Sequence, residues 1–196
     1  MVEVLTSIIC AIDTLKVKTV SRILLPLYSL LMAVALALTA PWWLWQMMRT
    51  GKYREGLRER LGRIPGRLGA VPRRPESVRS VWVHAVSVGE VLAASRLIDE
   101  LARARPGVPV FVSTTTRTGQ ALARERFRAE RVFYFPLDFA FAMRAWLRFL
   151  HPALVVLVES EFWPRMLAEC RQAGVPVAVV NGRVSDRSWP RYRRLR

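Results

Sequence analysis

An α/β domain with a doubly wound parallel sheet, set behind an N-terminal transmembrane helix, is the architecture this sequence encodes. From residue 80 onward, short apolar runs alternate with longer helical patterns, and strand, helix, strand in strict order marks that class. The short runs are apolar at nearly every position rather than every second one, which calls for cover on both sheet faces, as in a parallel sheet. Ahead of them, residues 23–48 carry no charged side chain, a stretch long enough to cross a bilayer as one tilted helix.

Residues 1–22 read as an N-terminal extension, and residues 23–48 as the anchor. Within the anchor, residues 27–38 are almost wholly aliphatic, and Trp42, Trp43 and Trp45 close the run as an interfacial belt. Pro26 and Pro41 fall near its ends, where they disturb a helix least. Lys16, Lys18 and Arg22 precede the span, while Arg49, Lys52, Arg54, Arg58, Arg60, Arg63 and Arg67 follow it. The heavier cluster stays cytoplasmic, so a single-pass anchor in the inner membrane puts the globular part on the cytoplasmic face. A cleaved signal peptide, with small residues around Ala40, is the alternative; the Trp belt and the dense positive charge behind it argue against export. Residues 49–79 read as a basic interfacial helix and linker. GKYREGLRERLG (51–62) is short, basic and interrupted at Gly56, which suits a helix lying on anionic headgroups. Residues 63–79 are rich in Pro, Gly and Arg without a hydrophobic period.

Residues 80–196 form the α/β domain. Strands are expected at 81–86, 108–112, 131–135, 153–158 and 175–180, and helices at 90–105, 118–127, 139–150 and 164–173. Pro106, Pro152 and Gly174 stand in helix-to-strand turns and stop the helices. The WPRYRRLR end has no terminal helix pattern, which reads as one half of something larger.

The chain has 196 residues, with 31 Lys and Arg against 15 Asp and Glu, a formal charge of +16. Without the anchor, roughly 150 residues remain, the size of one domain able to bury a core unaided. Cys10 and Cys170 are too far apart in sequence to suggest a disulfide framework or a metal cluster. The positive excess, mostly Arg, implies an anionic partner such as acidic lipid or a phosphorylated substrate. No nucleic-acid recognition motif accompanies it, and a membrane span argues against nucleic acid.

The chemistry gathers past the strand ends. In WVHAVSVGEV (82–91) a strand runs into a small-residue loop that delivers Glu90 to the start of a helix, with Gly89 giving the backbone room to turn. Free helix amides favour an ionised carboxylate there, so a base at this position needs opposing desolvation; a first-turn glutamate that complements the helix dipole is the plainer reading. The AVSVG around Ser87 nearly matches a nucleophile elbow, and Asp138 and His151 follow it in the order of a triad. His151, however, falls at a strand start, on the opposite sheet edge, and His84 precedes the serine, so the triad fails on geometry. STTTRTG (113–119) offers Thr115, Thr116, Arg117 and Thr118 as an anion cradle, or one of its threonines as an ordinary N-cap; it is no P-loop. Glu159 and Glu161 in VVLVESEFWP read as a metal pair, a base pair or a cap for the helix at 164. No Asp-x-Asp supports a metal-dependent nucleotide-sugar site. NGRVSDRS (181–188) adds Asn181, Arg183, Ser185 and Arg187 at the same sheet edge.

Together, GKYREGLRERLG, WVHAVSVGEVLAA, STTTRTG, YFPLD (134–138), VESEFWP and NGRVSDRS resemble the N-terminal half of the 3-deoxy-D-manno-octulosonic acid (Kdo) transferases of lipopolysaccharide biosynthesis. The resemblance implies a GT-B-type glycosyltransferase of two Rossmann-like domains. The N-terminal one, seen here, receives a lipid A precursor (lipid IVA), and a C-terminal one, absent here, binds the CMP-Kdo donor. It implies Glu90 as the general base, Glu161 with Glu159 as a second acidic motif, inversion at the anomeric carbon, and neither cofactor nor metal. Ser87, Gly89 and the polar residues named above become substrate contacts; charge and placement single out Arg117, Arg183 and Arg187 for the acceptor phosphates. A reading from another class remains, a non-catalytic membrane-anchored module that binds acidic lipid or a partner protein.

Overall fold

The computed structural model describes residues 20–51, 54–69, 79–159 and 162–182. Helix α1 (Val20–Thr50) is followed by two single turns, α2 (Leu57–Arg60) and α3 (Gly66–Gly69). The alternating part then runs β1 (Ser80–His84), α4 (Val88–Ala104), β2 (Val110–Thr114), α5 (Arg117–Phe127), β3 (Val132–Tyr134), α6 (Ala140–Leu150), β4 (Pro152–Val158), α7 (Pro164–Gln172) and β5 (Val177–Val180). The five strands are the five expected, each within a few residues of its expected ends.

All four strand pairings are parallel, in the order β3-β2-β1-β4-β5. The chain winds outward from β1 to β3 and then returns to lay β4 against β1. Winding reverses at that point, so the crevice beyond the carboxyl ends of β1 and β4 is the switch point where such sheets bind ligands.

Side-chain alternation along the strands builds two unlike layers. Trp82, Phe111, Phe133, Val155 and Leu157 face one side and pack with Met143, Trp146, Leu150, Met166 and Cys170 of α6 and α7. Val81, Val83, Val110, Val112, Val156 and Val158 face the other and pack with Val91, Ala94, Ile98 and Ala123 of α4 and α5. In the aromatic layer Trp146 stacks on Phe133 at 3.9 Å. Its indole N–H donates to the Glu59 carbonyl at 2.9 Å, and that of Trp82 to Ser113 Oγ at 2.8 Å, so neither ring buries an unpaired donor.

The basic stretch after α1 departs from expectation. Between residues 54 and 62 only Leu57–Arg60 is helical, and this part docks on the carboxyl end of β3 with Leu57 and Leu61 left exposed. Gly56 has φ 74°, and a Cβ there would lie 1.9 Å from the Tyr134 ring, so no other residue fits this approach. The buried Glu59 carboxylate accepts from Tyr134 N at 2.8 Å and pairs with Arg67 at 2.8 Å. Arg67 also donates to the Val132 carbonyl, and Leu68 is buried in the aromatic layer. Residues 63–69, expected as part of a linker, are therefore folded onto the domain; residues 70–78 lie outside the described residues.

Candidate functional site

Glu90 stands at the switch point, where β1 passes into α4. Ser87 is the helix N-cap and Glu90 the third helical residue, the spacing of a capping box. The usual exchange is modified. Glu90 Oε2 accepts from Val86 N at 2.7 Å, and Ser87 Oγ donates to Glu90 Oε1 at 3.0 Å. The carboxylate is thus folded back over its own loop and only 7 % of the residue is exposed. A carboxylate offers about four lone-pair directions; two are taken here, and two remain for a proton or a ligand.

Gly89 does a different job from the one expected of it. It is helical, not at a turn, and a Cβ would meet nothing nearer than Ser87 Oγ at 4.0 Å. The glycine leaves room for a side chain at this position of the helix.

The β2–α5 loop is stitched to this one. Val86 O accepts from Thr115 N and Thr116 N, both at 3.1 Å, and from Thr116 Oγ1 at 3.3 Å. Thr116 is the N-cap of α5 and accepts from Gly119 N at 3.1 Å, which fulfils the ordinary capping role for one threonine of the run. Gly119 lies so close to Ser87 that a Cβ would stand 3.2 Å from Ser87 C and 2.8 Å from Thr116 Oγ1. Arg60 closes the rim: its Nη2 donates to Thr115 O at 2.6 Å, and its guanidinium lies 4.7 Å from the Tyr134 ring centroid. Burial holds the Arg60 guanidinium below its usual pKa. Arg117 is exposed at the start of α5 and comes within 3.9 Å of Glu55, which also binds Arg124 at 2.9 Å. Thr118 is exposed beside it.

Across the switch point, Glu159 ends β4 with φ 67° and its N–H donates to Val180 O at 2.8 Å. Asn181 ends β5 in the same left-handed region, φ 55°, an uncommon conformation for a glutamate. Glu159 does not cap α7. That role falls to Asp138 of the YFPLD run, whose carboxylate accepts from Arg165 N at 2.9 Å and Met166 N at 2.7 Å. Burial raises the Asp138 pKa, while these amides, the Tyr28 hydroxyl and Arg165 oppose the rise. Glu161, Arg183, Ser185 and Arg187 lie outside the described residues.

Two groups are removed from the chemistry by burial. His84 Nδ1 lies 3.2 Å from Ser113 O, and its ring stacks on Phe135 at 3.9 Å. Burial lowers its pKa to about 3, so the imidazole stays neutral. Burial, with help from Glu169 and Asp138, pushes the Cys170 thiol up to about 12, which leaves it inert. His151, the other triad candidate, caps α6 at the amino edge of the sheet, away from Ser87. No triad exists.

Sequence reasoning placed Glu90, Ser87, Thr115, Thr116 and Glu159 on one sheet edge, and the structure gathers them there. It missed Arg60, Tyr134 and Gly119 as supports. Gly119 was within sight in the STTTRTG run; Arg60 was hidden in a stretch whose basic composition pointed to lipid.

Comparison with known proteins bears on the same segments. The sequence profile of the family described as 3-deoxy-D-manno-octulosonic-acid transferase (kdotransferase) matches residues 55–196. The 3-deoxy-D-manno-octulosonic acid transferase of Bordetella pertussis is 36 % identical over 154 residues, 74 % of this chain and 34 % of that protein. The enzyme of the same name from Haemophilus influenzae is 31 % identical over 151 residues, 76 % of this chain and 34 % of its own length. That of Chlamydia pneumoniae is 30 % identical over 179 residues, 90 % of this chain and 40 % of its own. The chain therefore spans between a third and two fifths of these relatives, and it belongs to the 3-deoxy-D-manno-octulosonic-acid transferase family.

Proposed function

We propose that this chain is the acceptor-binding half of a GT-B glycosyltransferase that moves Kdo from CMP-Kdo to a lipid A precursor in lipopolysaccharide biosynthesis. The observation that carries the reading is the Glu90 carboxylate, fixed by Val86 N and Ser87 Oγ at the switch point, with open space over Gly89. An acceptor sugar hydroxyl entering there donates its proton to a free lone pair of Glu90. The resulting oxygen nucleophile attacks the anomeric carbon of Kdo, the bond from that carbon to the phosphate oxygen breaks, and CMP leaves with the bonding pair. Attack opposite the leaving group inverts the configuration. Glu90 is left protonated and returns its proton to solvent.

The other residues orient. Thr115, Thr116, Thr118, Asn181 and Ser185 offer hydrogen bonds to the sugar, and Arg117, Arg183 and Arg187 offer charge to its phosphates. Glu159 and Glu161 shape the far wall. The donor belongs to the part of the relatives that this chain does not cover. The anchor α1 keeps the domain on the cytoplasmic face of the inner membrane, where a lipid acceptor is presented.

The test is Glu90→Ala in a form joined to the donor half. Transfer falls by about 10²–10⁴-fold, the usual contribution of a general base, while binding of the lipid acceptor stays within a few-fold of the parent. Turnover near the parental rate removes Glu90 from the base role.

A further inference from the structure

Arg60, the last residue of α2, sends its side chain toward the loops that meet at Glu90. The backbone around it is already fixed without that side chain. Glu59 O accepts from Trp146 Nε1 at 2.9 Å, Arg60 O accepts from Leu137 N at 2.8 Å, and the Glu59 carboxylate holds Tyr134 N at 2.8 Å. The guanidinium is not needed to seat the segment. It lies 4.7 Å from the Tyr134 ring centroid, and its Nη2 donates to Thr115 O at 2.6 Å. Arg117 and Arg124, the neighbouring cations, face Glu55 instead.

Thr115 O and Thr116 N are the two ends of one peptide group. Arg60 holds its oxygen, and its N–H donates to Val86 O at 3.1 Å. Thr115 N and Thr116 Oγ1 close on the same carbonyl, at 3.1 and 3.3 Å. Val86 gives its own N–H to Glu90 Oε2 at 2.7 Å. The bonds thus run from guanidinium to peptide, from peptide to Val86, and from Val86 to the carboxylate. A cation at one end polarises the peptide between and strengthens the bond beyond it. The two loops also touch: a Cβ at Gly119 would stand 3.2 Å from Ser87 C, so one cannot shift without the other.

We infer that Arg60 is a positioning residue for Glu90, acting through the Thr115–Thr116 peptide and Val86. This rests on the proposed role of Glu90 as base. Misplacing a reacting group by about 1 Å costs on the order of 10²-fold in rate, so loosening these bonds lowers turnover much more than acceptor binding. Lysine keeps the charge but offers a point-like ammonium in place of a planar fork, so it restores the effect only in part.

The test has two readouts. In the detergent-solubilised 196-residue chain, hydrogen exchange is followed by NMR for Arg60→Ala and Arg60→Lys. Alanine is expected to speed exchange at the Val86 and Thr116 amides by about tenfold, with the amides of Trp82, Val83 and His84 unchanged, and lysine to recover part of the protection. In a form joined to the donor half, Arg60→Ala is expected to lower kcat by about 10–100-fold with KM nearly unchanged. Once Glu90 is already alanine, the same change costs less than about threefold, because two residues that act as a unit are not additive.

Equal losses in both Glu90 backgrounds, or a raised KM as the main effect, would mean that the guanidinium meets the acceptor itself, and would overturn the inference. Unchanged exchange at Val86 also overturns it. So does loss of protection throughout β1, which makes Arg60 a support of the whole fold. An inactive Glu90→Ala beside a fully active Arg60→Ala strikes the positioning role alone. Parental turnover by Glu90→Ala strikes the base reading, and the positioning role with it.

Discussion

Glu90, Ser87 and Gly89 divide the work of one short loop. Ser87 and the Val86 amide orient the carboxylate, and Gly89 adds no side chain beside it. The division predicts opposite effects from one substitution. Gly89→Ala removes a flexible residue from a helix at a place where a Cβ touches nothing, so the folded chain gains about 0.5–1 kcal/mol in denaturant melts. In a form joined to the donor half, an acceptor that enters over Gly89, as proposed, would meet the same methyl group, and kcat/KM is expected to fall at least tenfold. A variant that is both stabilised and fully active would show that the space over Gly89 is not used. His84 carries a pH signature. Its folded pKa, about 3, lies below its ordinary value of 6.5, so the unfolded chain binds the extra proton between those values. Stability is complete above pH 6.5 and declines as the pH falls toward 3, by up to roughly 1.4 kcal/mol per pH unit. Chemical denaturation across that window, with His84→Phe giving the flatter profile, checks the sign. The place of Glu90 in the first turn of a helix was legible in the sequence; that Ser87 would cap that helix and that the carboxylate would bond Val86 N was not read from it, because a one-residue change in hydrogen-bond partner leaves no trace in spacing.

The segment at 54–69 shows what pattern reading misses at the level of elements. Its apolar residues Leu57 and Leu61 remain exposed while Leu68 is buried, and it also buries a carboxylate: Glu59 bonds the Tyr134 amide and Arg67. Hydrophobic periodicity has no signal for a buried carboxylate, so basic composition pointed to a lipid surface instead. Glu59→Ala leaves the Tyr134 N–H without its acceptor and Arg67 without its carboxylate, and is expected to destabilise the domain by roughly 3 kcal/mol, read as a shift of the denaturant midpoint at unchanged slope. Asp138 plays a comparable part for α7. Asp138→Ala removes the acceptor for two helix amides and costs about 1–2 kcal/mol; a change below a few tenths would mean that Glu159 or water takes over the cap. The strands, by contrast, were legible to within a few residues, since uniformly apolar runs between Pro and Gly stops have one physical use in a chain of this size.

For the whole molecule, alternation of strands and helices was enough to identify a doubly wound sheet. The return of β4 to β1, which creates the switch point, depends on packing between distant segments and is visible only in the fold. Length and hydropathy likewise marked residues 23–48 as a candidate membrane helix, and the structure has one continuous helix there, long and apolar enough to cross a bilayer. The apolar contact surface of α1 makes its attachment insensitive to screening, so washing membranes in molar salt releases little of the chain, and full release would mean that basic side chains alone hold it. The central claim, that this chain is the acceptor half, is tested most directly by binding of a bisphosphorylated lipid A precursor to the detergent-solubilised 196-residue chain, with a neutral glycolipid as control. Saturable binding selective for the phosphorylated lipid, weakened by Arg117→Ala, is the predicted result. Equal binding of both lipids, or none by a demonstrably folded chain, would contradict it.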